Sequence, residues 1–310
     1  MSKPVYSVLI VTYYHEQYIK KALDSVLTQN VEEEMEILVG DDGSQDNTVK
    51  ILKEYSLQFP FIKIYDHENV GLSRNIYDLL KRAQGDYIAI LEGDDYWIDE
   101  KKLIKQRKIL EEFNCLATAC NSLKVDNEGN ELGLWNYKIK EGILTKKEVL
   151  HYQTEICHPS GIMCRNIFKN SGDEYDIIAT ASRMGGNHTG MINLLANEGA
   201  FYLDKRPMTS WRVVQISGAK NYSSQKLEKP INFYEAMQKY ERYDKSFDMN
   251  YERHIYEEYS SLLHSLKKEF IDTVGTIRYY KGMIKFFFYK LCNGIIRFLR
   301  IIKNIIMKKR

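Results

Sequence analysis

Short apolar runs alternate with helical stripes of apolar residues over the first 113 positions of the chain. The runs are typical of strands buried on both faces, and they predict strands at Ser7–Thr12, Met35–Val39, Phe61–Tyr65 and Asp86–Leu91. Apolar residues three and four apart predict the intervening helices, which are Glu16–Thr28, a helix from Asp46 or Asn47 to Tyr55, Leu72–Ala83 and Glu100–Phe113. This alternation indicates an α/β fold with a mostly parallel sheet flanked by helices.

The third predicted helix is expected to end at Gly85, because glycine readily adopts the positive φ that often terminates a helix. The pattern then loosens into a strand at Leu116–Ser122 and a polar turn at Asp126–Asn130. We predict one α/β domain over residues 1–225, whose second half completes the same site, and a helical extension over residues 226–310.

Two acidic turns follow the second and fourth predicted strands, Asp41-Asp42-Gly43-Ser44 and Glu92-Gly93-Asp94-Asp95. The carboxyl ends of parallel strands meet at one edge of a sheet, where open α/β sheets bind ligands. Adjacent carboxylates repel one another unless a cation screens them, so the second turn predicts a site for Mn²⁺ or Mg²⁺ with substrate phosphate. The ordinary alternatives are a strand-to-helix turn for the first cluster and a solvated helix-capping turn for the second.

Composition narrows the class of protein. The chain has 310 residues, of which 44% are hydrophobic and 28% charged, and a net charge of +2. These values favour a globular protein over a disordered or polytopic one, and they give no basic field for nucleic acid. Secretory signal features are absent from the N-terminus, so we expect a cytoplasmic protein. Five cysteines without zinc spacing are interpreted as reduced, mostly buried thiols: Cys115, Cys120, Cys157, Cys164 and Cys292.

The last 35 residues, about 276–310, predict a basic amphipathic helix. Its apolar stripe is formed by Ile284, Phe288, Leu291, Ile295, Phe298, Ile302 and Ile305. Lysine and arginine interrupt every window long enough to span a bilayer. We therefore expect it to bind the anionic inner face of the cell membrane peripherally. The alternative is packing on the domain or on a second subunit, as in a homodimer.

Several segments together resemble family 2 glycosyltransferases. They are Ser7–Tyr14 with Tyr18, Ser25–Gln29, Asp41–Thr48, Asn69–Asn75 and Leu91–Trp97. The resemblance is specific over about the first hundred residues and faint after Asn121. It implies a GT-A fold and inverting transfer of a sugar from a UDP-sugar to a hydroxyl of a lipid-linked bacterial surface glycan. It also implies a divalent metal, Mn²⁺ or Mg²⁺.

The resemblance also implies roles for individual residues. Those matched to nucleotide-sugar binding are Thr12, Tyr14, Asp41, Asp42, Arg74, Glu92, Asp94 and Arg212. Within that set, Asp42 would accept from the uracil ring, Arg74 would lie near the base and phosphates, and Arg212 would approach the diphosphate. Asp95 would be the main metal ligand, with Asp94 beside it.

The sequence departs from the family's pattern at the general base, which in relatives is an aspartate just before a helix. The matching segment, Gly186–Gly190, has His188 at the expected position. A histidine can accept a proton near neutral pH. Its alternative role is helix capping or acceptor contact, and the carboxylate would then come from Asp173, Glu174 or Asp176.

Two weaker segments and two rival functions remain open at this stage. Cys157–Gly161 resembles a turn that faces the donor sugar and acceptor, although His158 beside a proline is also typical of a structural turn. Gln215–Ser224 resembles a loop that closes over the donor.

A catalytically weak sugar-nucleotide-binding subunit of a glycan-assembly complex would explain the missing aspartate at position 188. A nucleotidyltransferase would need a glycine-rich loop after Val11, and the sequence has none.

Overall fold

A computed structural model describes residues 3–135, 139–146, 148–149, 156–180 and 191–213. The strands are β1 (Tyr6–Thr12), β2 (Met35–Asp41), β3 (Ile62–Asp66), β4 (Tyr87–Glu92), β5 (Ala117–Val125), β6 (Glu131–Leu134), β7 (Gly142–Leu144), β8 (Ile162–Arg165) and β9 (Phe201–Arg212). The helices are α1 (Ile19–Leu27), α2 (Thr48–Gln58), α3 (Leu72–Arg82), α4 (Lys102–Glu112), α5 (Ile177–Thr180) and α6 (Met191–Glu198), with a 3₁₀ turn at Pro159–Gly161. Every strand and helix predicted over the first 113 residues is present, with ends shifted by a few residues.

The strands form one mixed sheet in the order β3-β2-β1-β4-β8-β5-β9-β7, and β6 pairs with β5. The first four strands of this order are parallel, as predicted. β8 then lies antiparallel to both β4 and β5, and β5 pairs in parallel with β9. The second half of the described chain therefore extends the sheet begun by the first half.

Both faces of the sheet are covered, and β1 shows how the sequence achieves this. Val8 and Ile10 pack into the cluster that includes α1, α2 and α4, whereas Leu9 and Val11 pack into the cluster that includes α3 and α6. Successive side chains of a strand point to opposite faces, so a continuous apolar run supplies both cores at once. The site is therefore restricted to the ends of the strands.

The predicted role of Gly85 is wrong. The helix α3 ends at Arg82, and Ala83 follows it in an extended conformation. Gly85 is not among the described residues with positive φ. A Cβ atom at Gly85 would lie 2.6 Å from the backbone nitrogen of Ser7. Glycine is required there because the chain passes against β1, and the turn needs no positive φ.

No helix among the described ranges is long and apolar enough to cross a membrane. The predicted extension over residues 226–310 and the closing loop Gln215–Ser224 lie outside the described residues. Four cysteines are described, and each is buried with a free thiol, as expected: Cys115, Cys120, Cys157 and Cys164. Cys292 lies outside the described residues.

Lys102, in the first turn of α4, is fully buried. Its ammonium group donates to Gln106 Oε1 at 2.6 Å and lies 4.4 Å from the centre of the Trp97 ring. Burial lowers the pKa of Lys102 to about 8, although Cys120, Cys157 and Asp99 act in the opposite direction. The folded protein therefore binds this proton less tightly than the unfolded chain does.

We predict a pH-dependent stability contribution from Lys102. Because its folded pKa lies below the unfolded value of 10.5, its penalty is complete below pH 8 and disappears as the pH rises to 10.5. The free energy of unfolding of wild type should rise by up to about 3 kcal/mol relative to Lys102→Met over that range. Urea unfolding of both proteins at pH 7–10.5 measures this difference. The buried thiols act oppositely but are common to both proteins, and parallel curves would contradict the prediction.

Candidate active site

Three loops meet at the carboxyl edge of the parallel strands. Thr12 lies opposite Asp41 in the register of β1 and β2, and Val11 lies opposite Glu92 in that of β1 and β4. Neighbouring strands are about 4.8 Å apart. The turn after β1 and the two acidic turns are therefore adjacent, as the sequence pattern indicated.

Asp41 shapes the first acidic turn. Its Oδ2 accepts from the backbone N–H groups of Gly43 at 3.1 Å and Ser44 at 2.7 Å, and its Oδ1 accepts from Ser44 Oγ at 2.6 Å. Burial raises the pKa of Asp41, and the hydrogen bonds from Ser44 oppose this rise. Ser44 Oγ also accepts from the N–H of Tyr14 at 2.8 Å. Asp41 thus joins this turn to the loop after β1, which agrees with a supporting role.

Asp42 connects the same turn to the start of α3. Its Oδ1 accepts from the N–H of Val70 at 2.8 Å, and the N–H of Gly71 is shared between Oδ1 at 3.2 Å and Oδ2 at 3.1 Å. An ionised carboxylate has about four acceptor positions, so these two N–H donors leave capacity for a ligand donor. The predicted contact with a uracil ring is compatible with this geometry and stays a prediction.

Two tyrosines project from the loop after β1. Tyr13 and Tyr14 are 45% and 47% exposed, and their rings meet edge to face with centres 4.6 Å apart. Burial raises the pKa of Tyr13, and the nearby Tyr14 and Asp42 add to the rise. Tyr13 was not among the predicted site residues, although an aromatic pair directly after a buried strand is a visible signal. Thr12, the last residue of β1, is buried beneath the two tyrosines at the start of this loop.

Asp94 and Gly93 form the outer part of the second acidic turn. A Cβ atom at Gly93 would lie 2.8 Å from His15 Nδ1 and 2.9 Å from Thr12 Oγ1, so the turn packs directly on the loop after β1. Asp94 Oδ2 lies 4.0 Å from His15 Nε2, and 22% of each side chain is exposed. Burial raises the pKa of Asp94; the nearby His15 opposes the rise, and Asp95 adds to it. Sequence reasoning missed His15.

Asp95 lies deeper, with 1% of its surface exposed. Its Oδ1 accepts from the N–H of Arg212 at 2.8 Å, and its Oδ2 accepts from Ser160 Oγ at 2.5 Å. The same Oδ2 lies 3.0 Å from His158 Nδ1. Ser160 Oγ in turn accepts from the N–H of Glu92 at 3.1 Å. This carboxylate therefore joins β4, the 3₁₀ turn and β9.

His158 lies between two carboxylates. Its Nδ1 pairs with Asp95, and its Nε2 lies 3.5 Å from Glu92 Oε2. Burial alone would lower the pKa of His158, but Asp95 and then Glu92 outweigh it and raise the pKa to about 9. The imidazole is therefore a buried cation at neutral pH. His158 is part of the site, and the weaker signal at Cys157–Gly161 had pointed to it.

Arg212 is buried and holds the second acidic turn in place. Its Nε donates to the carbonyl of Asp94 at 2.8 Å, and its Nη1 donates to the carbonyls of Asp126 and Asn127 at 2.7 Å each. The guanidinium also lies 4.4 Å from the centre of the Tyr18 ring. The structure thus gives Arg212 a positioning role, and its contact with a diphosphate stays a prediction.

Arg74 lies on α3 with half of its side chain exposed. Its Nε is 3.0 Å from Asp78 Oδ1, one helical turn away. A surface ion pair of this kind contributes about 0.3–0.5 kcal/mol, so a ligand phosphate can replace it at little cost. Asp42 accepts hydrogen bonds from the two residues that precede α3, so Arg74 in the first turn of this helix lies on the side of the predicted base pocket. Its contact with a base or phosphate stays a prediction.

Three of the four candidate general bases lie among the described residues. His188 lies outside the described residues. Burial raises the pKa of the Tyr77 hydroxyl on α3, and the negative charges of the nearby Asp173 and Asp176 raise it further. Glu174 belongs to the same exposed loop, which follows Ser171 and Gly172 at the far end of α3, beside Lys81. The three alternatives are therefore placed along α3.

A divalent cation fits the acidic turn. Among the described residues, ligand atoms of Glu92, Asp95 and His158 lie within 4.8 Å of one another. His158 pairs with Asp95, and both Asp95 oxygens also accept protein hydrogen bonds. Glu92 and Asp94 have partly exposed carboxylates, with 23% and 22% of their side chains accessible. The oxygen chemistry suits Mn²⁺ or Mg²⁺. Asp94 and Glu92 have the more accessible carboxylates, and metal binding by Asp95 and Asp94 stays a prediction.

Comparison with known proteins identifies the family of the chain. The model of the family described as glycosyl transferase family 2 matches residues 7–170. An uncharacterized protein of Mycobacterium tuberculosis is 41% identical over 107 residues, which are 34% of this chain and 31% of the relative. A Bacillus subtilis glycosyltransferase named for teichuronic acid biosynthesis is 36% identical over 114 residues, 36% of this chain and 44% of the relative. The chain thus matches less than half the length of these relatives.

Solved structures share the fold at low identity. Staphylococcus aureus TarS 1-349 in complex with UDP-GlcNAc has a TM-score of 0.63 and 17% identity, over 87% of this chain and 79% of that one. A mannosyltransferase from Pyrobaculum calidifontis in complex with GDP-Man and Mn²⁺ has a TM-score of 0.54 and 13% identity, over 94% of this chain and 89% of that one. These likenesses support the GT-A-like arrangement of the sheet.

We predict that Asp95 contributes strongly to stability. Asp95→Asn removes the charge that pairs with the buried His158 cation, and an unpaired buried charge typically costs about 3–5 kcal/mol. Thermal unfolding of metal-free protein should show a fall in Tm of about 6 °C or more. Asp94→Asn, one residue away, keeps the backbone carbonyl that Arg212 binds and changes only the partly exposed side chain, so it is the matched control and should change Tm little. Equal Tm values for the two variants would contradict the prediction.

Proposed function

Because the chain belongs to glycosyl transferase family 2, we propose that it transfers a sugar with inversion from a UDP-sugar to a hydroxyl group of a bacterial surface glycan. The observation that carries this proposal is the pairing of two acidic turns at one sheet edge. One turn, at Asp42, lies beside exposed tyrosines, and the other presents Asp94 and Glu92. A base and a diphosphate need those two environments side by side.

The nucleotide base is assigned to the turn at Asp42. Tyr13 and Tyr14 offer aromatic surface to a planar ring, since stacking on aromatic side chains is a common means of holding a base. Asp42 supplies an acceptor for a ring N–H, and uracil has one. Thr12 and Asp41 support the loop rather than contact the ligand.

The diphosphate is assigned to the second turn, where Asp94 and Glu92 would hold Mn²⁺ or Mg²⁺. A metal bound there would neutralise charge on the departing UDP. In the reaction the acceptor oxygen forms a bond to the anomeric carbon as the bond to the diphosphate oxygen breaks. The acceptor proton passes to a general base, for which His188 is the proposal. Arg74 provides a further positive charge near the phosphates.

The acceptor is proposed to be a lipid-linked glycan at the inner face of the cell membrane. The names of two relatives refer to teichuronic acid biosynthesis and to chondroitin synthase. The predicted basic helix over residues 276–310 supports a peripheral position, because lysine and arginine near an anionic surface each contribute about 1 kcal/mol. A homodimer through this segment is the alternative.

We predict that Asp94→Asn removes metal-dependent donor binding while the fold is retained. The substitution deletes one of the accessible anionic ligands, so Mn²⁺ should no longer enhance the binding of UDP-GlcNAc or another UDP-sugar. Calorimetric titrations with Mn²⁺ and with EDTA measure this. Glu54→Gln, which neutralises an exposed carboxylate on α2, is the matched control. Manganese-dependent affinity equal to that of wild type would exclude Asp94 as a ligand.

We predict that His188→Ala lowers the turnover rate by about 10²–10⁴-fold with little change in donor affinity, because a general base acts in the transition state. UDP release in the presence of acceptor measures turnover, and His188→Asp should recover part of it. Absence of acceptor-dependent UDP release from wild type would favour the alternative function, a sugar-nucleotide-binding subunit. Near-normal turnover of His188→Ala would move the role to Asp173, Glu174 or Asp176.

A further inference from the structure

Two buried side chains bind the backbone of the 3₁₀ turn Pro159–Gly161. The indole Nε1–H of Trp97 donates to the carbonyl of Ser160 at 3.1 Å, and the amide Nε2–H of Gln106 donates to the carbonyl of Gly161 at 2.8 Å. All four residues are buried. Two consecutive carbonyls of the turn are therefore each bound by a side chain from another part of the sequence.

The hydroxyl of Ser160 connects this turn to the second acidic turn. It accepts from the N–H of Glu92 at 3.1 Å and donates to Asp95 Oδ2 at 2.5 Å. A hydroxyl has a single proton to donate, and here Asp95 receives it. The position of this hydroxyl is set by the Ser160 backbone, which is the part of the turn that Trp97 and Gln106 hold.

Lys102 determines which way the Gln106 amide faces. Its ammonium group donates to Gln106 Oε1 at 2.6 Å, and an ammonium cannot accept from the amide nitrogen. The amide nitrogen must therefore face its other partner, the carbonyl of Gly161. Lys102 and Gln106 are one turn apart on α4, so the same helix supplies both groups. The costly burial of this ammonium thereby gains a function, which is to orient the amide.

The 3₁₀ turn also packs closely on β5. A Cβ atom at Gly161 would lie 2.8 Å from the carbonyl oxygen of Cys120, so only glycine allows this approach. The N–H of Gly161 donates to the carbonyl of His158 at 2.9 Å and closes the turn. The turn is thus held by β5 as well as by the donors of Trp97 and Gln106.

We propose that Trp97 and Gln106 are positioning residues for the second acidic turn. They hold the backbone of Ser160, and its hydroxyl orients the Asp95 carboxylate and the backbone of Glu92. This inference rests on the proposed function, in which the second acidic turn receives the metal and the diphosphate. Loss of a group that orients a metal site typically weakens metal binding by about 10–100-fold.

Two conservative substitutions each remove one donor and keep most of the buried volume. Trp97→Phe retains an aromatic ring beside Lys102 but has no N–H for the carbonyl of Ser160. Gln106→Glu retains an acceptor for Lys102 but, as a carboxylate, has no N–H for the carbonyl of Gly161. The matched control for lost stability alone is Leu110→Ala, since Leu110 is a fully buried apolar residue of the same helix.

Calorimetric titration of the full chain with UDP, in EDTA and in Mn²⁺, gives the factor by which the metal tightens UDP binding. This factor should fall by about 10-fold in Trp97→Phe and in Gln106→Glu. The Kd in EDTA should stay at the wild-type value, because the proposed base pocket at Asp42 is not changed. Leu110→Ala should lower Tm and leave both quantities unchanged. A wild-type factor in both donor variants, or an equal loss in Leu110→Ala, would overturn the proposal.

A double-mutant cycle tests whether Trp97 acts through Ser160. Ser160→Ala should itself lower the Mn²⁺ factor, and adding Trp97→Phe to it should lower the factor no further, because the hydroxyl to be positioned is gone. Losses that simply multiply in the double variant would show that Trp97 acts by another route and would overturn the proposal. If Gln106→Glu lowers Tm more than Leu110→Ala does, Trp97→Phe and this cycle decide the question.

The two proposals fail in different ways. Unchanged Mn²⁺ factors in the donor variants would overturn the positioning role even if wild type transfers sugar normally. A wild-type protein that binds UDP with Mn²⁺ but transfers no sugar would overturn the proposed function, and the same titrations would still test the positioning role. If Mn²⁺ does not tighten the binding of UDP to wild type, both proposals are wrong.

Discussion

The arrangement of the site depends on the buried carboxylate of Asp95. It accepts from the backbone of Arg212 and from Ser160, and it pairs with the His158 cation. Arg212 lies 117 positions after Asp95 in the sequence, Ser160 lies 65 positions after it, and His158 lies 63 positions after it (158 − 95). A buried carboxylate without such partners would be too costly to desolvate, so the three segments must assemble together.

This constraint divides the two aspartates of one turn between two tasks. Both carboxylate oxygens of the buried Asp95 accept hydrogen bonds from the protein and so fix the turn, whereas Asp94 is partly exposed beside His15. In the first turn both carboxylates are buried: Asp41 accepts three hydrogen bonds from its own turn, and Asp42 spans to the start of α3. Asp41 and Asp95 thus each hold the loop in which their neighbour lies.

The fixed turn is also joined to β9. Arg212 holds the carbonyl of Asp94 and the loop after β5, and the adjacent Trp211 stacks on His158. Successive residues of β9 thus contact two different parts of the site, because side chains alternate across a strand. The antiparallel insertion of β8 carries Ser160 and His158 to the same edge.

The sequence by itself determined the α/β layers, the first four parallel strands and the shared edge of the two acidic turns, because these follow from local periodicity and from the geometry of parallel strands. The family resemblance grouped Asp42, Asp94, Asp95 and Arg212 and gave Asp95 the role of main metal ligand, which stays a prediction. The buried, hydrogen-bonded position of the Asp95 carboxylate could not be predicted, because its partners Arg212, Ser160 and His158 are all distant in sequence. The burial of Lys102, the pairing of β5 with β9 and the contact of Trp211 with His158 likewise exist only after the strands have assembled.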